Sequence, residues 1–302
     1  MGCRFGVAFA DAGADVWLYD IWTQHVQYIA KNGLVIEDGM GGKRILNMNS
    51  VSDMKLMPMS DVVVIFTKSM HTKEAIKKAL PIIGKDTTIL TLQNGIGNIE
   101  AIREIISKSS IIAGVTNYAS DLLKAGHVEL KGTGLTKMMA LEDRSKSMAT
   151  QLVNMLNKSG HNAQLSNDVL IDIWEKVAFN AALNTTTAIT GLTVGEIGSI
   201  KESKKLLFDI SSEVVRVANA EGINANDKHV HEMIESVFDP KMSGEHKTSM
   251  LQDRLLKRKT EIDAVCGKVI TIGKKHGINT PRLECVYAIV KVIETNYGNI
   301  CF

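Results

Sequence analysis

The 302-residue sequence contains little cysteine, proline or aromatic residue and no long apolar run. Its 4 cysteines (Cys3, Cys266, Cys285 and Cys301) form no Cys-x-x-Cys pair and have no metal-ligand spacing, so we expect reduced thiols and no metal site. No stretch approaches the roughly 18 apolar residues of a membrane span, and no basic-then-apolar leader opens the chain. These absences predict a cytoplasmic protein without a membrane partner.

An excess of charge of one sign is also missing. The 35 basic and 33 acidic residues leave a net charge of +2, which gives no electrostatic reason to expect a nucleic-acid partner. The chain is 45% hydrophobic and 23% charged, with a mean hydropathy of +0.03. These values are typical of a globular protein, and the length suggests about two domains.

Strands alternate with helices in the first half of the chain. Helices are predicted over 3–13, 23–32, 71–80 and 98–106, and strands over 16–19, 61–67, 88–92 and 111–115. The strand over 61–67 is a continuous run of mostly β-branched residues, as expected of a strand covered on both faces. Such alternation indicates a parallel α/β sheet. We predict an α/β, Rossmann-like, NAD(P)-binding domain over residues 1–165.

The pattern changes near Leu165. From Asp168 onward the apolar residues follow helical periodicity almost throughout. We therefore predict an all-α, substrate-binding domain over residues 166–302.

The cofactor fingerprint of the first domain is incomplete. A dinucleotide-binding unit needs a strand, then Gly-x-Gly-x-x-Gly, a helix and a second strand that ends in a polar residue. Gly2 matches the third glycine and Asp20 ends the second strand, whereas the first strand and two glycines would precede Met1. Either Met1 is an internal methionine of a longer protein or this form has lost its cofactor cradle. We favour the first explanation, because the rest of the chain has the features of a working site.

Three polar residues fall on one face of a predicted helix in the second half. Lys176, Asn180 and Asn184 are spaced i, i+4 and i+8 among apolar neighbours. Partial burial disfavours the charged form of a lysine, and such a lysine can deliver a proton to an oxygen that gains charge. Spacing alone also fits a surface lysine beside two core or capping amides.

A second group of candidates follows at 246–263. Ser249 and Gln252 match the Ser/Thr-x-x-Glu/Gln capping box, so Ser249 would start a long helix. Glu261 would equally fit a surface partner of Lys257. Spacing does not separate these interpretations from a functional site.

Several motifs in order resemble those of the ketopantoate reductase family. They are the helix W-E-K-x-x-x-N-x-x-x-N (174–184), Gln-Asn-Gly-Ile-Gly (93–97), Ser-Met-Leu-Gln-Asp (249–253), Thr-Glu-Ile-Asp (260–263) and Lys-His-Gly-Ile-Asn-Thr-Pro (275–281). The resemblance spans essentially the whole chain. It implies NAD(P)H-dependent reduction of 2-dehydropantoate to pantoate, a step of pantothenate and coenzyme A biosynthesis, without a metal.

The resemblance also assigns roles in the second half of the chain. Lys176 would be the general acid that protonates the ketone oxygen, and Glu261 would hold the substrate hydroxyl and pair with Lys176. Asn180, Asn184 and Ser249 would bind the substrate carboxylate and hydroxyl. The implied partner is a small 2-oxoacid, and a homodimer is compatible with the family.

Cofactor binding is assigned to the first half. The resemblance puts Asn94 near the nicotinamide and Lys68 near the cofactor, with Gly2 and Asp20 at the incomplete fingerprint. The usual cofactor of the family is NADP(H), but an acid at position 20 suits a ribose 2′-hydroxyl and repels a 2′-phosphate. NAD(H) and a different branched 2-oxoacid therefore form the alternative enzyme. A truncated, non-catalytic binding protein is the alternative outside the enzymes.

Overall fold

The computed structural model describes residues 1–39, 41–107, 110–239 and 246–298. The chain divides into two units by its internal contacts. Unit 1 comprises Met1–Thr67, His71–Gln93 and Asn98–Val169, and unit 2 comprises Lys68–Met70, Asn94–Gly97 and the chain from Leu170 onward. Two short loop segments from the first half of the sequence thus belong to the helical unit, where they contribute to the site described below.

Unit 1 is built from strands and helices in alternation. Its helices are α1 (Gly2–Asp11), α2 (Thr23–Asn32), α3 (Thr72–Ala79), α4 (Asn98–Ile105) and α5 (Lys146–Lys158). Its strands are β1 (Trp17–Tyr19), β2 (Leu34–Glu37), β3 (Lys43–Leu46), β4 (Asn49–Val51), β5 (Ser60–Ile65), β6 (Ile83–Thr91), β7 (Ser110–Thr116), β8 (Ala119–Lys124), β9 (His127–Lys131), β10 (Thr136–Ala140) and β11 (Ala163–Leu165).

The main sheet of unit 1 has five strands in the order β11-β10-β7-β6-β5. Strands β5, β6 and β7 run parallel, β10 is antiparallel to β7, and β11 is parallel to β10. The predicted α/β class with a parallel sheet is therefore confirmed. Helix α1 packs on this sheet through Phe5, whose ring lies 4.9 Å from that of Phe66.

Two features of unit 1 differ from the expectation of a single covered sheet. Strands β1 and β4 form a separate parallel pair, and β3-β2-β9-β8 form a four-stranded sheet that was not predicted. The prediction that the run after Asp61 is covered on both faces is confirmed, since Val62 and Val64 pack against one apolar cluster and Val63 and Ile65 belong to another. Strand β5 is at the edge of its sheet and pairs only with β6 within the described ranges, and its three valines are half-buried.

Unit 2 is helical in its described part. Its helices are α6 (Val169–Thr190), α7 (Val194–Gly198), α8 (Lys201–Ala220), α9 (Asp227–Ser236), α10 (Ser249–Leu255), α11 (Lys268–Lys275) and α12 (Pro281–Thr295), with a π-helical turn at Asp263–Gly267. Helix α6 contributes Val177, Ala181 and Leu183 to the apolar core, and α8 adds Leu207 and Val214. The predicted all-helical second half is therefore confirmed.

A buried carboxylate joins two helices of unit 2. Glu213 of α8 is fully buried, and its two oxygens accept the backbone N–H groups of Arg282 at 3.2 Å and Leu283 at 2.9 Å. These N–H groups belong to the first turn of α12. The N–H groups of a first turn have no acceptor within their own helix. Glu213 therefore caps α12 from outside.

We expect Glu213→Ala to lower the free energy of unfolding by about 3 kcal/mol, because it leaves buried donors without acceptors. Urea titration followed by circular dichroism measures the change. Glu284→Ala is the matched control, since Glu284 is exposed and forms an ion pair with Lys274 at the surface; its cost should stay below about 1 kcal/mol. Equal losses in the two variants would contradict the capping role.

Candidate active site

Helix α6 presents a polar face to a cavity in unit 2. Because α6 is unbroken from Val169 to Thr190, Lys176, Asn180 and Asn184 lie on the same side of it, one turn apart. Asn180 and Asn184 are each 7% exposed and both line the cavity. Buried amides of this kind need hydrogen-bond partners, which a polar ligand can provide.

Glu261 is held on a turn that α12 fixes from both sides. Before it, the N–H and hydroxyl of Thr260 both donate to Glu294 Oε1, each at 2.7 Å. After it, Asp263 accepts a hydrogen bond from the Tyr287 hydroxyl at 2.8 Å and pairs with Lys291. The π-helical turn begins at Asp263, and π-helical turns often occur at functional sites. The position of Glu261 is thus determined by its neighbours in sequence.

The loop segments Lys68–Met70 and Asn94–Gly97 complete this side of the cavity. The Ser69 N–H and hydroxyl donate to Glu261 Oε1 at 2.9 and 2.8 Å. The Ile96 N–H donates to the Ala264 carbonyl at 3.2 Å. Gly95 has a φ of +82°, and a Cβ there would lie 2.8 Å from that of Ala264, so the close approach requires glycine.

Most of the residues predicted in the second half are brought together here. The cavity is lined by Asn94, Asn180, Asn184, Ser249, Met250, Asp253, Glu261 and Val265. Lys176 lies close enough to Glu261 for the carboxylate to raise its pKa. Lys68 is in the same unit and forms an ion pair with the cavity residue Asp253. Gly2 and Asp20 are in unit 1.

The electrostatic environment of Lys176 suits proton transfer. Desolvation lowers its pKa to about 8, and the Glu261 carboxylate opposes part of that decrease. A lysine with a pKa near the working pH holds a proton and can also release it. The pair can therefore deliver a proton to an oxygen in the cavity.

The structure excludes the alternative interpretation of Ser249 as a helix cap. The cap of α10 is Thr248, whose hydroxyl accepts the Leu251 N–H at 3.3 Å. Helix α10 is only 7 residues long, not the long helix predicted. Ser249 is the first helical residue, and its hydroxyl lies 3.5 Å from Asn184 Nδ2, so its side chain is directed to the cavity instead of the helix end.

Sequence reasoning missed Asp253 and Ser69. Asp253 is 4% exposed, lines the cavity and forms ion pairs with Lys68 and Arg258. It follows Ser249 by four residues, so helical spacing could have identified it as a neighbour on the same face. Ser69 precedes Glu261 by 192 residues, and no spacing rule connects them. The predicted surface pairing of Glu261 with Lys257 does not occur, since Glu261 accepts from Ser69.

Unit 1 contains the two residues predicted at the dinucleotide fingerprint. Gly2 begins α1, which has no side-chain cap, and a Cβ at Gly2 would meet nothing within 4 Å. The backbone of this first turn is therefore open to a ligand. Asp20 is exposed at the end of β1, and its Oδ1 accepts the Trp22 N–H at 2.8 Å, which fixes the carboxylate's direction.

The described part of the chain has neither a cluster of metal-ligand side chains nor a helix that could cross a membrane. Within it, no group of three or more His, Cys, Asp or Glu side chains is placed to hold a metal ion. The histidines of α9 lie in separate networks, His229 on Glu175 and His231 on Ser212. No helix among residues 1–39, 41–107, 110–239 and 246–298 is long and apolar enough to cross a membrane.

Comparison with known proteins identifies the class. The model of the family described as ketopantoate reductase PanE/ApbA matches residues 1–143, and the model of its C-terminal part matches residues 168–294. A 2-dehydropantoate 2-reductase of Streptococcus pyogenes serotype M6 is 32% identical over 97% of this chain and 95% of its own length. That of Lactococcus lactis is 31% identical over 96% of this chain and 94% of its own length.

A solved structure shares the whole fold. D-mandelate dehydrogenase in a ternary structure with NADH and anilino(oxo)acetate superposes with a TM-score of 0.93 at 31% identity, covering 99% of this chain and 96% of its own. The fold and the two family models define an oxidoreductase of two-domain Rossmann type. The chain belongs to the ketopantoate reductase family.

Proposed function

We propose that this protein reduces 2-dehydropantoate to pantoate with a reduced nicotinamide cofactor. The observation that carries the proposal is a buried Lys176 that interacts with Glu261, while Glu261 lines a cavity together with three asparagines, in a member of the ketopantoate reductase family. The residues match a reaction in which a ketone oxygen must gain a proton. Residues 166–302 would bind the substrate, and residues 1–165 the dinucleotide.

Lys176 would act as the general acid. A bound reduced nicotinamide would supply the hydride that the keto carbon receives. The carbonyl oxygen then takes up negative charge, and the Lys176 ammonium donates its proton to that oxygen, so that the product is an alcohol and the lysine is left neutral. Burial assists this step because it disfavours the charged ammonium before the proton moves.

The remaining cavity residues would bind and orient the oxoacid. The amides of Asn180 and Asn184 and the hydroxyl of Ser249 can hydrogen-bond the substrate carboxylate and hydroxyl. Glu261 would accept a hydrogen bond from the substrate hydroxyl.

Several residues of this chain fit a dinucleotide. The uncapped first turn of α1, with open space at Gly2, would receive the pyrophosphate. Asp20 would accept the ribose hydroxyls. We further assign Asn94 to the nicotinamide end and Lys68 to the cofactor. The first two glycines of the usual fingerprint have no counterpart in these 302 residues. A homodimer and a cytoplasmic location stay predictions.

The test is the fall in nicotinamide absorbance on mixing the protein with ketopantoate and NADPH or NADH. We expect cofactor oxidation that depends on ketopantoate and yields pantoate. An inactive protein that still binds cofactor would move the substrate to another oxoacid. A protein that binds neither cofactor would favour the non-catalytic alternative.

Asp20 supports a second candidate, an NADH-dependent reductase of another bulky 2-oxoacid. An exposed carboxylate at the ribose position accepts a 2′-hydroxyl and repels a 2′-phosphate. The similar D-mandelate dehydrogenase was solved with NADH, which agrees with such a preference. A panel of branched and aromatic 2-oxoacids with both cofactors separates this candidate from ketopantoate reduction.

Asp20→Arg should move the cofactor preference toward NADPH. We expect the ratio of kcat/KM for NADPH to that for NADH to rise at least roughly tenfold, because the guanidinium can pair with the 2′-phosphate. Asp15→Arg is the control, since Asp15 is also exposed and precedes the other end of β1. An unchanged ratio in Asp20→Arg would remove Asp20 from the ribose site.

A further inference from the structure

One oxygen of Glu261 is fully committed to a single loop residue. Ser69 gives Glu261 Oε1 two hydrogen bonds, from its N–H at 2.9 Å and from its hydroxyl at 2.8 Å. Neither of these hydrogen bonds involves the other oxygen, Oε2. The carboxylate is therefore held asymmetrically by Ser69, through Oε1 alone.

The Ser69 hydroxyl has a second acceptor within reach. Its oxygen lies 2.9 Å from the Asn94 carbonyl, yet it carries only one proton. A hydrogen bond to an ionised carboxylate is stronger than one to a neutral carbonyl. The proton therefore goes to Glu261 when that carboxylate is charged, and the hydroxyl can turn to Asn94 when it is not.

We propose that Ser69 is a positioning residue for Glu261: it holds Oε1 through two hydrogen bonds and aims Oε2 at the substrate hydroxyl. This inference rests on the proposed function for the identity of that hydroxyl. The backbone N–H and the hydroxyl of Ser69 each donate one hydrogen bond to Oε1. A substitution of Ser69 by alanine removes the second and keeps the first, so the contribution of the hydroxyl can be measured by itself.

The charges that face Glu261 come from several elements. Lys176 on α6 interacts with it directly. Asp253 on α10 lines the same cavity and is neutralised by Lys68 and Arg258. On α12, Lys291 and Glu294 contact the residues on either side of Glu261. Removing the Ser69 hydroxyl changes none of these charges, so it tests the hydrogen bond alone.

The experiment compares Ser69→Ala with wild type and Ser69→Thr. The side-chain carboxyl carbon of Glu261 is followed by NMR at one fixed pH. We expect its chemical shift in Ser69→Ala to differ from that in wild type, because a hydrogen-bond donor to the carboxylate is lost. Ser69→Thr should restore the wild-type chemical shift, because it restores a hydroxyl. In turnover, Ser69→Ala should raise KM for the oxoacid about tenfold and change kcat less than threefold.

Ser212→Ala is the matched control. Ser212 also donates its hydroxyl to a carboxylate of unit 2, that of Asp227 at 2.8 Å, and it does not line the cavity. The Glu261 carboxyl resonance should not move in this variant. An unchanged resonance in Ser69→Ala, or an equal change in Ser212→Ala, overturns the inference even if wild type reduces ketopantoate. If wild type is inactive toward ketopantoate, the proposed function fails, and the Glu261 resonance still decides the role of Ser69.

Discussion

Lys176→Ala should lower kcat by about 10³-fold, which is within the range lost when a general acid is removed. Cofactor affinity should stay within about twofold of that of wild type. The expected cause is chemical, because the ketone oxygen would have to take its proton from water. Steady-state kinetics give kcat, and quenching of protein fluorescence by cofactor gives the affinity.

Two further variants make this result specific. Lys176→Arg keeps a positive charge but should stay at least about 10²-fold below wild type, because a guanidinium does not release its proton at neutral pH. Lys205→Ala removes an exposed lysine of α8 and should leave kcat unchanged. Full activity in Lys176→Ala would show that the proton comes from another group.

The same assignment fixes the direction of the pH dependence. The ammonium form of Lys176 is the active one, and its pKa is lowered to about 8. Turnover should therefore be constant below that pH and fall as pH rises through it. A kcat that continues to rise above pH 8 would contradict the role of the ammonium.

Much of the fold follows from local patterns. The helices predicted over 3–13, 23–32, 71–80 and 98–106 and the strands over 16–19, 61–67 and 111–115 all overlap observed elements, whereas β6 begins at Ile83, five residues before the predicted strand over 88–92. The sheet β3-β2-β9-β8 was missed because its strands are short and partly exposed; Lys43, Arg44 and Ile45 of β3 all face solvent. Such strands are formed by pairing with distant strands, which no local pattern encodes.

The site shows a similar division. Helical spacing grouped Lys176, Asn180 and Asn184 correctly, because one helix carries all three. Spacing could not show whether this face of α6 lines a functional site or is exposed to solvent, because that depends on which residues pack opposite it. The residues on the opposite side of the cavity include Ser69 and Asn94, which are distant in sequence from α6. The N-cap was misassigned by one residue, from Thr248 to Ser249, because both residues have the hydroxyl that capping requires.

Glu261→Gln should have two separable effects on turnover. The amide keeps an oxygen for Ser69 but loses the negative charge that the substrate hydroxyl would meet, so KM for the oxoacid should rise about 30-fold. The charge also stabilises the ammonium of Lys176 and raises its pKa against the effect of burial. Without that charge the pKa of Lys176 falls below about 8, and the proton is lost at lower pH.

The decisive observation is the direction in which the basic limb of the kcat profile moves. We expect it to shift by about one pH unit toward acid in Glu261→Gln. Glu202→Gln, an exposed position on α8, should leave the limb in place. If the limb stayed fixed while KM rose, Glu261 would bind substrate without influencing Lys176. A limb that moved toward alkali would contradict the stabilisation of the Lys176 ammonium by Glu261. A shift toward acid together with a raised KM would mean that one carboxylate both binds the substrate hydroxyl and sets the pH at which the proton donor works.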